Sequence, residues 1–365
     1  MPETTTPTTY RVVIDSIGTA TPKVAGVLAE ALSTPAERMF KALYNAPSVM
    51  LSEVEQTIAE QTQTLLQELG LEIRVEPEDA PEPLAAEKVD VCVYVPDAVK
   101  LPRICQQLSA FLGNQPADAL ALLIEEPAMV LGGVSPNTAE ALRQRLDAEV
   151  TTLRPEECLY TLVFEGNDLV MRQQLQRYLD SHKVEADLKT KPQVEHLDYT
   201  TGMSIWRRFQ STGYVKLINE DLERFELVLE SVDATAPGWQ KALVEFTGMP
   251  EEIVSEVVAA LPIQLEAGLT PEVGQAALQQ LTDAGLQCSL HSIYAQAYRL
   301  VIHDMGDFKK VSNILSSVVE EADLPRIGQR SWQSPVPLND LMARYTLARL
   351  EAAGATVELE TAPRS

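Results

Sequence analysis

The sequence predicts an α/β chain of the α+β kind, made of five tandem β-α-α-β-α-β units in which three helices cover a three-stranded sheet. Strand patterns recur along the chain, and they begin at Tyr10, Asp90, Leu159, Phe225 and Tyr298. A proline follows the strand start by 37 residues in the first, second, fourth and fifth units and by 33 in the third. Offsets repeated in this way are typical of tandem repeats.

Two further signals recur with the same order in the units. The prolines that follow the second helix are Pro47, Pro127, Pro192, Pro262 and Pro335. A late glycine that can end the third helix recurs as Leu69-Gly70, Thr212-Gly213, Ala284-Gly285 and Ala353-Gly354. We therefore expect the five prolines to occupy equivalent positions in five small domains, here called repeats one to five.

Repeat four shows the unit most clearly. Phe225, Leu227 and Leu229 alternate, which is typical of a half-buried strand. Three helical patterns follow, and the residues that bound them are Gly248, Pro250, Pro262, Thr270, Pro271 and Gly285. We expect Val257 on the second helix and Leu281 on the third to lie under the sheet.

The spacing of five small motifs in this stretch points to a known family. Thr247-Gly248, Pro262, Gly268-Leu269, Ala276 and Ala284-Gly285 occur without a gap. On this pattern, residues 225–290 resemble the C-terminal domain of the bacterial ribosomal stalk protein. The resemblance implies a three-stranded antiparallel sheet that is covered on one face by three helices.

The same resemblance implies a way of binding partners. In that family, basic residues on the first two helices recruit translational GTPases. Of those positions, Lys241 alone keeps a family lysine here. Val244 stands where the family has an arginine, and Glu252 and Ser255 stand where it has lysines.

The remaining boundaries follow from composition and strand patterns. Residues 1–9 are expected to form a flexible tail, and residues 77–88, rich in Pro, Ala and Glu, an extended and solvated linker. The repeats are then expected at residues 10–76, 89–155, 159–220, 224–291 and 297–361.

The second helix is expected to differ between the repeats. A proline that can open it occurs in four of them, as Pro35, Pro116, Pro250 and Pro325. In repeat three this segment is short and polar and has no such proline. In repeat five the second helix is expected to contain Arg326, Arg330 and Trp332.

The charge of the chain argues against two classes of partner. Its formal net charge is −24, and such a field repels nucleic acid and anionic lipid. The sequence contains no run of 18 apolar residues, and its first nine residues lack the pattern of a signal peptide. We expect a cytoplasmic protein without membrane insertion or nucleic-acid binding.

The sequence gives little support to catalysis. It contains no nucleophile-elbow, Walker-type or dinucleotide-binding motif. The histidines His182, His196, His291 and His303 do not form an HxxxH pair. We therefore expect no metal, no cofactor and no enzymatic activity.

Repeat three carries the strongest signal for a contact surface. Its eight acidic and eight basic residues cancel over 159–220, whereas repeat four carries ten acidic residues and one lysine over 225–290. Trp206 and Phe209 are three residues apart and are expected to face the core. Arg207 or Arg208 then points outward.

We therefore expect repeat three to be the main contact module. Arg207, Arg208, Lys189 and Lys191 would face an acidic surface, which belongs either to another protein or to repeat four of a second copy. The alternative is that repeat three has drifted in sequence while its neighbours hold it in place.

Three functions remain open at this point. The first is a non-catalytic scaffold that binds other proteins or further copies of itself. The second is an adaptor for a GTPase or an AAA+ machine, by analogy with the stalk protein and with the adaptor of the Clp protease. The third is an enzyme with a site between repeats, which would require a deep polar cleft with converging carboxylates or histidines.

Overall fold

The computed structural model describes residues 9–83 and 87–363, and it confirms the predicted fold class. These residues form five separate three-stranded antiparallel sheets. In every sheet the first strand of the repeat is central, between the second and the third. The chain divides into two compact units, here called the N-terminal module (Met1–Pro155) and the C-terminal module (Glu156–Ser365).

The N-terminal module contains repeats one and two. Repeat one consists of β1 (Tyr10–Ser16), α1 (Lys23–Ala31), α2 (Ala36–Tyr44), β2 (Ser48–Val54), α3 (Gln56–Glu68) and β3 (Glu72–Pro77). Repeat two consists of β4 (Val89–Tyr94), α4 (Leu101–Leu112), α5 (Pro116–Leu123), β5 (Ala128–Val134), α6 (Pro136–Arg143) and β6 (Glu149–Leu153).

The C-terminal module contains the other three repeats. Repeat three consists of β7 (Leu159–Phe164), α7 (Leu169–Ser181), β8 (Gln193–Asp198), α8 (Tyr199–Phe209) and β9 (Val215–Asn219). Repeat four consists of β10 (Phe225–Val232), α9 (Trp239–Thr247), α10 (Val254–Ala259), β11 (Ile263–Leu269), α11 (Pro271–Asp283) and β12 (Leu286–Ser292). Repeat five consists of β13 (Gln296–Asp304), α12 (Phe308–Leu315), β14 (Trp332–Gln333), α13 (Asp340–Ala352) and β15 (Thr356–Pro363).

The third helix starts in the same way in four repeats. A side-chain oxygen of the N-cap residue accepts a hydrogen bond from a backbone N–H in the first turn. The N-cap residues are Ser135, Asp198, Thr270 and Asn339. A cap of this kind stabilises a helix by about 1 kcal/mol, which fixes where each third helix begins.

A left-handed residue two positions before the third helix's N-cap recurs in repeats one to four. These residues are Glu53, Gly133, His196 and Gly268, with φ between 58° and 77°. In three of these repeats the backbone N–H of the left-handed residue donates to a carboxylate. Glu53 donates to Glu78 over 2.9 Å, Gly133 donates to Asp90 over 2.8 Å, and His196 donates to Glu220 over 2.7 Å. The shared turn supports the equivalence of the repeats.

The core of repeat four lies between the sheet and its helices. Leu227 and Leu229 of β10 pack with Leu243 of α9 and Leu281 of α11, and all four are fully buried. The prediction for Leu281 is therefore confirmed. The prediction that Val257 lies under the sheet is wrong, because Val254 is the residue of α10 that enters the core, and Val257 is only half-buried and is not part of that core.

Repeat five departs from its predicted second helix. A short 3₁₀ turn, Glu321–Asp323, stands in its place, and Trp332 belongs to β14. The predicted helix from Pro325 would be interrupted at Gly328, which is left-handed with φ of 87°. The indole N–H of Trp332 donates to the Asp323 carbonyl over 3.0 Å, and this bond holds the extended segment against the turn.

The predicted equivalence of the five prolines fails in repeat five. Pro47, Pro127, Pro192 and Pro262 directly precede the second strand of their repeats, but Pro335 lies after β14. Ile302, which corresponds to Leu229, pairs with Trp332 rather than with the residue after Pro335. The equal offset of Pro335 is therefore a coincidence.

The ends of the repeats are better ordered than the sequence predicts. Residues 77–83 of the predicted linker contact repeat one, because the buried Arg11 donates hydrogen bonds to the carbonyls of Ala80 and Pro81. Residues 84–86 lie outside the described residues, as does the predicted N-terminal tail before Thr9. At the other end, β15 pairs with β13 as far as Pro363.

Two glycines of repeat five give a matched test of backbone geometry. Gly306 has φ of 52°, and a Cβ there would stand 2.3 Å from the carbonyl oxygen of Gly354. Gly354 has φ of 84°, and a Cβ there would meet nothing within 4 Å. We expect Gly354→Ala to cost about 1 kcal/mol from left-handed strain alone, and Gly306→Ala to cost about 2 kcal/mol because the carbonyl must also shift.

Urea unfolding of the two variants tests this expectation. Equal losses at both positions would show that the close approach of Gly306 to Gly354 does not constrain the fold.

Candidate functional site

Repeat three lacks the second helix that repeats one and two possess. Residues 184–192, which connect α7 to β8, form no helix, as the sequence predicts for this repeat. The side chain of Leu188 is buried, and the amide N–H of Leu188 donates to Gln176 of α7 over 3.0 Å. The connection is thus a packed loop, and α7 and α8 are the two helices that this repeat presents.

A groove lies along these two helices, here called the α7–α8 groove. It is lined by Tyr178, Tyr199, Thr200, Met203, Ser204, Arg207 and Arg208. Its open volume is about 750 Å³. All of the lining residues belong to repeat three, so this repeat forms the groove by itself.

Both arginines of the groove are exposed, but they are held differently. The guanidinium of Arg208 lies over the ring of Tyr178, 5.4 Å from its centre, which is a cation–π distance. Arg207 forms neither an ion pair nor a side-chain hydrogen bond within residues 9–83 and 87–363. Arg207 is therefore available to a ligand, and Arg208 is partly oriented for one.

The aromatic side of the groove is fixed by packing. Tyr178 meets the buried Phe209 edge-on, with ring centres 5.4 Å apart, and stacks on His182 at 4.0 Å. Its hydroxyl lies 3.4 Å from that of Ser204. As predicted, Phe209 faces the core, but Trp206 is only half-buried.

The other predicted contact residues do not join the arginines. Lys189 and Lys191 are not among the residues that line the groove, and Lys191 forms an ion pair with Glu195 at 2.8 Å. Lys241 lies in repeat four, where it pairs with Glu245 one turn along α9 at 3.4 Å. The structure therefore brings together Arg207 and Arg208, and it leaves the three lysines elsewhere.

Part of the groove could have been found in the sequence. Thr200, Ser204, Arg207 and Arg208 follow one another at helical spacing, which places them on one face of α8. Tyr178 had no such signal, because it comes from a different helix and only the fold brings it to this face.

The groove is suited to binding carboxylates. The two arginines are the charged residues among those that line it. Guanidinium groups bind carboxylates through paired hydrogen bonds, and the neighbouring tyrosine and methionine side chains offer apolar contact. Neither a histidine nor a carboxylate is among the lining residues, so the groove has no side chain suited to act as a general base near neutral pH.

A polar cleft lies between repeats one and two of the N-terminal module. Its volume is about 370 Å³, and Asp15, Glu72, Glu140 and Arg145 are its charged lining residues. Burial raises the pKa of Asp15 more than the neighbouring Arg74 lowers it. This cleft lies between two repeats, where the site of the enzyme hypothesis would be expected.

Two side chains of this cleft join the two repeats. Asn137 donates to the Asp15 carbonyl over 2.7 Å, and Arg145 donates to the Ala20 carbonyl over 3.0 Å. The guanidinium of Arg145 also lies over the ring of Phe111 at 5.0 Å. These contacts support a structural role for the cleft.

Two further properties of the described residues bear on the site. None of their helices combines the length and the apolar character that crossing a membrane requires. No group of three or more His, Cys, Asp or Glu residues among them is arranged to hold a metal ion.

Comparison of the chain with family models, with curated proteins and with solved structures gave no match.

Proposed function

We propose that the chain is a non-catalytic protein-interaction scaffold whose α7–α8 groove binds an acidic segment of a partner protein. One observation carries the proposal. In a chain with a formal charge of −24, the charged residues of this groove are two exposed arginines, and Arg207 has no ion-pair partner in the described residues.

The local charge of the groove can act despite the acidic chain. At physiological ionic strength, exposed charges are largely screened beyond about 8 Å, so a bound segment responds mainly to the nearest groups. A nucleic acid would extend past the groove and meet the acidic remainder of the chain. A short protein segment with carboxylates fits the groove better.

Charge alone would give weak binding. An exposed ion pair contributes about 0.2–1 kcal/mol, so two arginines cannot support a stable complex by themselves. Tyr178, Tyr199 and Met203 line the same groove and can cover an apolar side chain. The proposed ligand is therefore a segment in which carboxylates flank an apolar residue.

The adaptor function remains an alternative within this proposal. It rests on the resemblance of residues 225–290 to the stalk-protein domain. The one basic residue that this resemblance carries over, Lys241, is paired with Glu245. The α7–α8 groove has the stronger support, because its arginines lie together beside apolar side chains.

Binding of designed peptides tests the proposal. A fluorescein-labelled peptide with glutamates around an isoleucine is titrated with the full chain, beside a peptide in which lysines replace the glutamates. We expect the acidic peptide to bind and Arg207→Glu with Arg208→Glu to weaken it at least about tenfold. Binding should also weaken as salt is added.

A matched variant controls for net charge. Arg326 and Arg330 of repeat five are exposed, and replacing both with glutamate changes the charge by the same amount. This variant should bind the acidic peptide like the wild type. Equal binding of the acidic and the lysine peptide, or equal loss in both double variants, would contradict the proposal.

A further inference from the structure

Repeat four carries an exposed surface whose chemistry complements the α7–α8 groove. After the N-cap residue Pro250, a 3₁₀ turn (Glu251–Ile253) leads directly into α10. Glu252, Ile253 and Glu256 on this segment are exposed, and they are here called the acidic ridge. The ridge thus has an apolar residue with a carboxylate on either side.

The ridge is held in place by the core of its own repeat. Val254, next to Ile253, is buried in the core of repeat four, which fixes the segment against the domain. The side chain of Ile253 nevertheless keeps 39% of its surface exposed. An exposed apolar side chain on an anchored turn can insert into a partner without reorganising the fold.

The carboxylates of the ridge lack partners in their own domain. Glu252 and Glu256 form no ion pair within residues 9–83 and 87–363. The single lysine of repeat four, Lys241, is already paired with Glu245. The ridge therefore offers two carboxylates where the α7–α8 groove offers two guanidinium groups.

We infer that the acidic segment bound by the α7–α8 groove is the acidic ridge of a second copy of this chain. The inference rests on the proposed function of the groove and names its partner. Within one chain, the groove is lined by repeat-three residues alone and the ridge is exposed, so the two do not occupy each other. Their pairing therefore joins different copies.

The pairing determines how the copies associate. Groove and ridge are different surfaces, so the contact is heterologous, and a pair of copies leaves one groove and one ridge free for further neighbours. Copies therefore associate head to tail, in a ring if the rotation closes and in an open chain if it does not.

Sedimentation velocity over a range of protein concentrations at low salt tests the inference. The wild type should associate, and added salt should weaken the association. Arg207→Glu with Arg208→Glu destroys the groove, and Glu252→Arg with Glu256→Arg destroys the ridge. Each double variant alone should associate at least about tenfold more weakly than the wild type.

Mixing the two double variants gives the sharpest outcome. The groove variant keeps an intact ridge and the ridge variant keeps an intact groove, so an equal mixture should regain the association that each variant alone has lost. The variant with Arg326→Glu and Arg330→Glu should associate like the wild type. Circular dichroism checks that each variant is folded, and the salt dependence of the wild type needs no variant.

The possible failures are distinguishable. If the chain stays monomeric at every concentration while the acidic peptide binds the groove, the second copy is not the partner and the proposed function stands. If association occurs but the mixture of variants does not pair, a different surface joins the copies. If neither the peptide nor a second copy binds, both proposals fall.

Discussion

Replacing Leu281 with alanine is expected to lower the free energy of unfolding of repeat four by about 2–5 kcal/mol. Leu281 of α11 is fully buried and packs with Leu227, Leu229 and Leu243. Truncation removes apolar contacts and leaves a cavity that the short helices of this small domain must close. The loss is expected to be large because a small domain has little surrounding structure that can shift to fill the cavity.

A residue of the same helix provides the control for Leu281. Val273 of α11 is 54% exposed, and Val273→Ala should change the free energy of unfolding by less than about 0.5 kcal/mol. Urea unfolding gives the stability, and hydrogen exchange of the β10 and β12 amides locates the loss in repeat four. A loss below about 1 kcal/mol for Leu281→Ala would mean that the core is assigned to the wrong face.

Replacing Arg11 with leucine is expected to cost about 3 kcal/mol in the N-terminal module. Only 4% of the Arg11 side chain is exposed, and its guanidinium pairs with Glu76 at 2.6 Å. The same group donates to the carbonyls of Ala80 and Pro81, so leucine would leave both acceptors without this donor. The loss of stability should lie at the low end of the range for breaking a buried ion pair, because Glu76 keeps its contact with Arg74.

Two measurements test the role of Arg11. Urea unfolding should show the loss, and limited proteolysis should cut the variant within residues 77–83 sooner than the wild type. Arg74→Leu removes a side chain that is 44% exposed and should cost about 1 kcal/mol or less. Equal stability of wild type and Arg11→Leu would show that this segment is not held by Arg11.

The pH dependence of this site has a definite sign. Burial raises the pKa of Glu76, but the hydrogen bonds from Arg74 and Arg11 outweigh it and hold the pKa below its usual value of 4.5. The carboxylate therefore stabilises the folded state above about pH 4.5, and this contribution is lost as the pH falls through the lowered pKa. Wild type should lose more stability than Arg11→Leu on acidification over that range.

The repeated fold could be predicted because its signals are local. Alternating strand residues, the N-cap Thr270 and the late glycine Gly285 each act within one turn or strand, and repeat four has the predicted order of elements. The same reasoning failed in repeat five. There the proline offset matched by coincidence, and the left-handed Gly328 and the buried Trp332 determine an extended segment instead.

The groove could be predicted only in part. Arg207 and Arg208 are neighbours in sequence and stand out in an acidic chain, so the sequence singled them out. Tyr178 reaches them from α7 through packing on Phe209, and no local pattern encodes that meeting. Charge alone places Lys189 and Lys191 with the arginines, but they lie on the connection between α7 and β8 and do not line the groove.

Methyl NMR of methionine tests the central claim most directly, because Met203 lines the α7–α8 groove and is one of nine methionines in the chain. The chain is labelled at its methionine methyl groups and titrated with the acidic, isoleucine-containing peptide. We predict a saturable shift of the Met203 signal, while Met39, Met129 and Met305 in other repeats keep theirs. Saturable binding that leaves Met203 unmoved, or that shifts a methionine of another repeat instead, would contradict the assignment of the groove.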